Sequence, residues 1–242
     1  MTQITSNSAK MFIGAMLAAG IAVLGRSVMV WGSDHHMWLL YLAVLAVIAS
    51  RLRVSLPGID GSMSMNLPFI LLAMSRLSFS EAVLIAGLST LAQSMPRQGG
   101  HFKFVQAAFN TCNIMFAVAL GFWASHADAL SRAAWSQTLL PVLACATYFF
   151  AQTIPVATVI SLTENKSALH IWREIATLSF PYFVLSAGVG AIALGAMQHL
   201  SFGIPLAALA AMFFVYRSYS RYFRTAVAGP VDTRAMSAAA AR

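Results

Sequence analysis

Charged residues are scarce in this sequence. Asp, Glu, Lys and Arg together make up 9% of its 242 residues, whereas 59% are hydrophobic and the mean hydropathy is +0.75. Soluble domains normally carry about 25% charged residues. A water-solvated fold of this length has no means of burying so much apolar surface. The composition therefore excludes an ordinary soluble domain and predicts an integral membrane protein whose first partner is the lipid bilayer.

Cysteine and acidic residues are also rare, which excludes several functions. Cys112 and Cys145 lie inside apolar stretches, a placement that does not fit a secreted disulfide framework. The 7 acidic residues form no carboxylate pair on one helix, and the sequence has neither a nucleophile elbow nor a phosphate-binding glycine loop. The 6 histidines include no HExxH motif and would fall on both sides of a bilayer. Catalytic residues, cofactors and a metal site are therefore not predicted.

What the sequence does contain is a series of apolar stretches. Eight occur, at 10–31, 37–51, 64–78, 80–96, 104–126, 136–162, 175–198 and 201–218. A hydrocarbon core of ~30 Å needs about 20 helical residues, so the stretches at 37–51, 64–78 and 80–96 are short. One of these is alternatively a half-span or a re-entrant element. The sequence predicts an all-α, polytopic transmembrane helix bundle of about eight spans, with six as the lower alternative.

The basic residues predict a topology, because cytoplasmic loops are enriched in Lys and Arg. With the N-terminus inside, the cytoplasmic set is Lys10, Arg51, Arg53, Arg97, Lys103, Lys166, Arg173, Arg217, Arg221, Arg224, Arg234 and Arg242. Both termini are then cytoplasmic, in a bacterial inner membrane, and only Arg76 and Arg132 lie on the opposite side. Because these charges sit at the ends of apolar stretches, a nucleic-acid partner is not predicted. We expect residues 1–220 to form one membrane domain and residues 221–242 a basic, disordered cytoplasmic tail.

The segment VSLPGIDGSMSMNLPFI, residues 54–70, interrupts the helical pattern. Its proline and glycines break regularity at the cytoplasmic end of the second span, so the backbone there cannot be a continuous helix. Irregular backbone at a membrane boundary must be buried in protein or line a wet cavity. The polar side chains of this segment are candidate ligand contacts: Asp60, Ser62, Ser64 and Asn66. The alternative is a solvated loop with turn residues at turn positions.

The fifth stretch carries three amides at spacings of four and three residues. Gln106, Asn110 and Asn113 therefore share one helix face. Amides in lipid need partners, which Gln93 in the fourth stretch and Gln152 in the sixth are placed to supply. Bonding to a neighbouring helix is the commoner use of such residues, and a polar ligand cavity lined by Gln93 and the three amides is the alternative.

Arg26 is the one strongly basic residue well inside a predicted span. A charge at the centre of a bilayer costs at least ~2.5 kcal/mol, so such a residue normally faces the protein interior or reaches the interface. Glu81, at the outer start of the fourth stretch, is a possible acidic partner. The equal alternative is that Arg26 snorkels outward from the end of its helix.

Three segments resemble a known family. RLRVSLPGIDGSMSMNLPFILLAM, YFFAQTIPVATVISLTENKSALHIWRE and LSFPYFVL are similar to the multi-helix membrane regions that precede cytoplasmic diguanylate-cyclase (GGDEF) or HD-type phosphohydrolase domains in bacterial signalling proteins. More remotely, a helix followed by an irregular LPG…G…N segment and another helix resembles substrate-binding membrane subunits of energy-coupling-factor vitamin transporters. In the signalling relatives an output domain follows the last span, whereas this chain stops after a short tail.

The resemblance implies a small-molecule-binding membrane module of the sensory kind that has no catalytic output of its own. Its expected partners are an unidentified small ligand and a separate cytoplasmic signalling or energising subunit. The alternative is the substrate-binding membrane subunit of a vitamin-like uptake transporter. A membrane-embedded enzyme is the third possibility, and it would need acid and base residues grouped at one depth.

Overall fold

The computed structural model describes residues 7–32, 36–55, 62–96, 101–126, 136–197 and 202–228. These ranges contain eight α-helices and one two-stranded antiparallel sheet. The elements are α1 (Asn7–Met29), α2 (His36–Ser50), β1 (Arg53–Ser55), β2 (Ser62–Ser64), α3 (Leu67–Arg76), α4 (Phe79–Ser94), α5 (Phe104–Ser125), α6 (Ser136–Glu164), α7 (Ala168–Ala196) and α8 (Gly203–Ala228). The predicted helix bundle is confirmed, and the small sheet is an addition that the sequence analysis did not predict.

Among the described residues, four helices are long and apolar enough to cross a membrane: α1, α5, residues 142–164 of α6, and α7. Large apolar side chains cover their outer faces, so that Ile21 of α1 is 65% exposed and Ile192 of α7 is 75% exposed. Apolar surface on this scale is not tolerated in water by a monomeric soluble protein. The bundle is therefore built as a membrane protein, and the full count of eight spans stays a prediction.

The short helix α3 occupies the middle of the bundle. It packs on α2, α4, α5 and α7, and Phe69, Ile70 and Leu72 are fully or almost fully buried. Pro68 lies in its first turn, where a missing N–H costs nothing. With 10 residues, α3 is about 15 Å long, which is half the thickness of a hydrocarbon core. This helix alone therefore does not cross a bilayer.

Helices α1 and α5 approach each other closely at Gly20. A Cβ atom placed on Gly20 would overlap the Cβ atom and the backbone of Cys112. The absence of a side chain at this position therefore sets the distance between the two helices. By contrast, a Cβ atom on Gly14 or Gly25 of the same helix would meet nothing within 4 Å.

Two helix boundaries differ from the sequence prediction. The seventh apolar stretch was expected to begin at residue 175, but α7 begins at Ala168, and a His170–Glu174 pair with a 3.1 Å Nε2–Oε1 distance lies within its added turns. The tail was expected to be disordered from residue 221, but α8 continues to Ala228. Phe223 packs on the core cluster, which explains why the helix persists there.

Candidate ligand-binding site

The sheet is attached to the C-terminal end of α4 by two arginines. Arg51 donates to the carbonyl of Ala92 at 2.8 Å, and the guanidinium of Arg53 donates to the carbonyls of Gln93 at 2.5 Å and Met95 at 3.1 Å. The last carbonyls of a helix have no partner within the helix and carry its negative partial charge. The two arginines therefore satisfy these carbonyls and hold Gln93 in place.

The backbone of β2 is hydrogen-bonded to β1 and to a side chain of α7. β1 and β2 pair in the register Arg53↔Ser64, Val54↔Met63 and Ser55↔Ser62. The hydroxyl of Tyr182, in α7, donates to the carbonyl of Ser64 at 2.6 Å. The prediction that residues 54–70 do not form a continuous helix is confirmed for the described part of that segment.

A chain of polar side chains joins β2 to α4. Ser64 Oγ lies 2.8 Å from Asn66 Oδ1 and 2.9 Å from Gln93 Oε1, and Asn66 Nδ2 donates to Ser89 Oγ at 3.1 Å. The Ser64 hydroxyl has one hydrogen, so it can donate to only one of these two oxygens. If the Gln93 amide is rotated so that its NH₂ group faces Ser64, both contacts become hydrogen bonds. These contacts, together with the arginine bonds described above, hold Gln93 in place at the end of α4.

In front of Gln93 lies a cavity of about 310 Å³. It is enclosed by β1, β2, α4, α5, α6 and α7. Its wall consists of Arg53, Met63, Thr90, Gln93, Ser94, His101, Lys103, Gln106, Ala107, Asn110, Asn113, Ile114, Gln152, Thr153, Val156, Ile160, Ile175, Ser179 and Phe183. This volume falls at the lower end of the range of about 300–1,000 Å³ that is typical of small-molecule sites.

The three amides of α5 run along one side of this cavity from its mouth to its floor. Gln106 is exposed, Asn110 is half-buried and Asn113 is 1% exposed. Seven residues of helix separate the first from the last, which corresponds to about 10 Å of depth. The helix face predicted from the spacing of these residues therefore faces the cavity.

At the floor, two amide oxygens have no hydrogen-bond partner in the described part of the chain. Asn113 Nδ2 donates to the backbone carbonyl of Gln152 at 2.9 Å, which fixes the orientation of the Asn113 amide and leaves Oδ1 unpaired. Gln152 Oε1 is also buried and unpaired. Buried polar groups are normally hydrogen-bonded, so each exception requires an explanation, such as a bound water or an ion.

The hydroxyls of the floor are, by contrast, already engaged. Thr153 Oγ1 donates to the carbonyl of Phe149 at 2.8 Å and accepts from Trp172 Nε1 at 3.1 Å. Ser179 Oγ donates to the carbonyl of Ile175 at 2.6 Å. The hydroxyl donors of the floor are therefore used within the protein, whereas Asn113 Oδ1 and Gln152 Oε1 have no partner in the described part of the chain.

The predicted ligand contacts divide into four groups. Gln93, Gln106, Asn110 and Asn113 all lie on the cavity wall. Ser64 and Asn66 lie behind Gln93 and do not reach the cavity, because Asn66 is the N-cap residue of α3 and its amide points to Ser89. Ser62 is placed through its backbone pairing with Ser55. Asp60 lies outside the described residues.

The structure places Arg26 and Glu81 in different environments. Arg26 is exposed at the end of α1. Glu81 is 1% exposed, and its carboxylate accepts from the backbone N–H and hydroxyl of Ser78 at 2.9 and 3.0 Å, forming the capping box of α4. Arg26 is therefore exposed, as the snorkelling alternative requires. Glu81 has a structural role at the start of α4.

Several wall residues were not predicted from the sequence. The sequence marks Arg53 and Lys103 only as topology residues, and it assigns no site role to His101, Thr90, Thr153 or Ser179. Polar residues on three separate apolar helices carry a weak signal individually. Only the packing of α4, α6 and α7 around α5 brings them together.

A second cavity, of about 640 Å³, is apolar and lies between α3, α6 and α7. Phe150, Phe180 and Val184 line it and are 46%, 56% and 54% exposed. A groove of this kind on the outer face of a membrane bundle is accessible to lipid chains. In the described ranges, no three His, Cys, Asp or Glu residues are grouped so as to hold a metal ion.

The class of protein that fold and site define is a transmembrane helix bundle with a polar cavity. Comparisons with protein-family models, with curated proteins and with solved structures gave no match. The similarity to signalling and transporter membrane regions thus rests on the sequence segments alone.

Proposed function

We propose that this chain is a multi-pass protein of a bacterial inner membrane that binds a small molecule in the polar cavity between α4, α5, α6 and α7, as a sensory module. The single observation that carries this proposal is the polar cavity itself, whose wall includes the amide side chains of Gln93, Gln106, Asn110 and Asn113. The cavity also has the volume and mixed polarity of a small-molecule site.

The predicted topology assigns the cavity mouth to one side of the membrane. The mouth is formed by the end of α4 and the start of α5, where Arg53 and Lys103 lie. The positive-inside rule puts both residues in the cytoplasm. A ligand would then enter from the cytoplasm, which favours sensing of an intracellular molecule over capture of an external one.

The proposal is tested by native mass spectrometry of protein extracted gently from its membrane. We expect a small molecule to remain bound to the wild type and to be lost from Asn110→Leu, which removes a wall amide at nearly constant volume. Thr111→Val is the matched control, because Thr111 is the neighbouring buried residue and does not line the cavity. Equal ligand retention in Asn110→Leu and the wild type would remove the support for this site.

The same preparation separates sensing from uptake. Co-purification of an ATPase would indicate the substrate-binding subunit of a transporter. Co-purification of a nucleotide-cyclase or phosphohydrolase output protein would indicate the signalling function that the sequence segments resemble.

A further inference from the structure

The polar cavity and the second, apolar cavity lie one behind the other between α6 and α7. These two helices pack against each other and are joined by residues 165–167, so they run antiparallel. Among the described residues, Phe183 alone lines both the polar cavity and the second cavity, which is called the apolar groove below. At this point a single side chain separates the two spaces.

One face of each helix lines the two spaces in succession, because residues three or four apart share a helix face. On α7 the series is Ile175 and Ser179 in the polar cavity, Phe183 in both spaces, and Ala187 and Ala191 in the groove. On α6 it is Ile160, Val156 and Thr153 in the polar cavity, followed by Phe149, Cys145 and Val142 in the groove. The crevice between α6 and α7 therefore runs from the polar cavity into the apolar groove.

Two phenyl rings interrupt this crevice. Phe149 of α6 and Phe183 of α7 are 7% and 5% exposed, and their ring centroids lie 4.7 Å apart in an edge-to-face arrangement. Pro181 lies inside α7, two residues before Phe183, and it removes one backbone hydrogen bond of the helix. Helices bend at such positions. A rotation of the Phe183 side chain at this weakened point of the backbone would join the two spaces.

The groove is open to the lipid on its outer side. Phe150, Phe180 and Val184 line it, and each is about half exposed. In a membrane bundle these side chains face hydrocarbon, so the groove can receive an apolar chain directly from the bilayer.

The far end of the groove is not suited to hold a polar head group. The Ser75 hydroxyl donates to the carbonyl of Leu71 at 2.9 Å, and the Ser125 hydroxyl donates to the carbonyl of Phe122 at 2.8 Å. His126 Nδ1 lies 2.9 Å from the same carbonyl of Phe122. These polar groups are therefore used at the ends of their own helices.

The polar cavity, by contrast, has amides with hydrogen-bonding capacity left. Neither Gln106 nor Asn110 makes a side-chain hydrogen bond within the described part of the chain, and neither is fully buried. Each amide has two N–H donors and an acceptor oxygen. A head group with hydroxyl or amide groups therefore finds partners in the polar cavity and not in the groove.

From this arrangement we infer that the ligand is an amphiphile with one hydrocarbon chain, whose hydrogen-bonding head lies in the polar cavity and whose chain passes Phe183 into the groove. The inference rests on the proposed function and specifies the ligand class of the same site. From Phe183 to Leu194, the last groove residue of α7, the helix rises by about 16 Å. This is close to half of a hydrocarbon core of ~30 Å, which is the depth that one lipid chain occupies in one leaflet.

The head group decides which amphiphile binds. Lipid and groove are both apolar, so moving the chain from one to the other contributes little to the affinity. Hydrogen bonds between the head and the wall amides supply the selectivity. Such a molecule reaches the cavity from the cytoplasmic leaflet, which is the side that the positive-inside rule assigns to the cavity mouth.

Phe183→Trp tests the path between the two spaces. The larger ring fills the space that the chain must pass, and overfilling a packed site is unfavourable, so we expect retention of the amphiphile to fall by about tenfold or more. Phe214→Trp is the matched control, because Phe214 is 71% exposed on α8 and lines neither space. Lipids that only surround the protein are retained equally by the two variants.

Phe183→Leu covers the case in which the larger ring prevents folding. It keeps an apolar side chain but shortens the barrier between the spaces. Exchange of the bound amphiphile should therefore be faster than in the wild type, whereas Phe214→Leu should leave the exchange rate unchanged.

The probe is monooleoylglycerol that carries a photoreactive diazirine in its chain next to the ester group, added to the full-length protein in phospholipid nanodiscs. Thr153 and Ser179 line the polar cavity and are each 4% exposed, so lipid that surrounds the protein does not reach them. We expect crosslinks at these two residues, which excess unlabelled monooleoylglycerol removes and excess glycerol does not. The rate at which the crosslinks appear measures exchange in the leucine variants.

Native mass spectrometry of the untreated protein identifies the natural ligand. Retention of a chain-bearing molecule that is lost from Phe183→Trp and kept by Phe214→Trp supports the inference, even if its head differs from glycerol and the probe does not crosslink. Equal retention of such a molecule by both tryptophan variants overturns the inference. Retention of a compact molecule without a hydrocarbon chain also overturns it and leaves the proposed function intact. If nothing is retained and the probe reaches neither Thr153 nor Ser179, the proposed function fails as well.

Discussion

Replacing Asn113 by Leu separates a binding amide from a structural one. The side chain is 1% exposed, its Nδ2 donates one hydrogen bond to the Gln152 carbonyl at 2.9 Å, and its Oδ1 is unpaired. Loss of the hydrogen bond costs about 0.5–1.5 kcal/mol, whereas removal of an unsatisfied buried acceptor recovers about 1–3 kcal/mol. The net expectation is that the ligand-free protein gains about 1 kcal/mol of stability while ligand retention is lost.

The assay compares thermal unfolding, followed by tryptophan fluorescence, with ligand retention by native mass spectrometry. For a chain of this size, a gain of ~1 kcal/mol raises the Tm by about 2–4 °C. Thr111→Val is the control, since Thr111 is also buried, at 7% exposed, with an unpaired Oγ1, but does not line the cavity. It should gain stability similarly and keep its ligand. An Asn113→Leu protein that is destabilised and still retains ligand would refute the reasoning and make the amide a helix-packing contact.

Two further predictions concern the bundle. Gly20→Ala should destabilise the protein by about 1–3 kcal/mol, because the added Cβ atom overlaps Cys112. Gly25→Ala should be neutral or stabilising, because its added Cβ atom meets nothing within 4 Å. Equal Tm values for the two variants would show that α1 and α5 are not held at this distance. In a background without the native cysteines, a membrane-impermeant maleimide should label Gly32→Cys in intact cells and Lys166→Cys only after permeabilisation. Labelling of both from one side would contradict the predicted topology.

The amide face of α5 could be predicted because it depends on one helix. Spacings of four and three place Gln106, Asn110 and Asn113 in line whatever surrounds them. The sequence left open whether that face meets a neighbouring helix or a cavity, and the structure shows a combination. Asn113 donates from its Nδ2 to the Gln152 carbonyl and is also one of the residues that line the cavity.

The role of Asn66 could not be predicted, because it depends on which elements pack together. A proline- and glycine-containing segment shows that the helix is broken, but not that the chain forms a two-stranded antiparallel ribbon beside α4. Once β1 and β2 pair, Ser64 contacts Gln93 and Asn66 contacts Ser89, and neither residue lines the cavity. The start of α7 at residue 168 and the end of α8 at residue 228 also differ from the sequence prediction. Turns that contain charged residues can extend an apolar helix when their aromatic side chains pack on the protein.

The shortness of α3 has a consequence for biosynthesis. A helix of 10 residues is about half as long as an independently inserting segment, and it is preceded by a strand whose hydrogen bonds require β1 and Tyr182. Such a segment gains little from entering lipid alone, since its backbone would be left unsatisfied there. We therefore expect α3 to reach its place only after α2, α4 and α7 have assembled around it, so that β2, which precedes α3 and contributes Met63 to the cavity wall, is also placed at a late stage of assembly in the membrane.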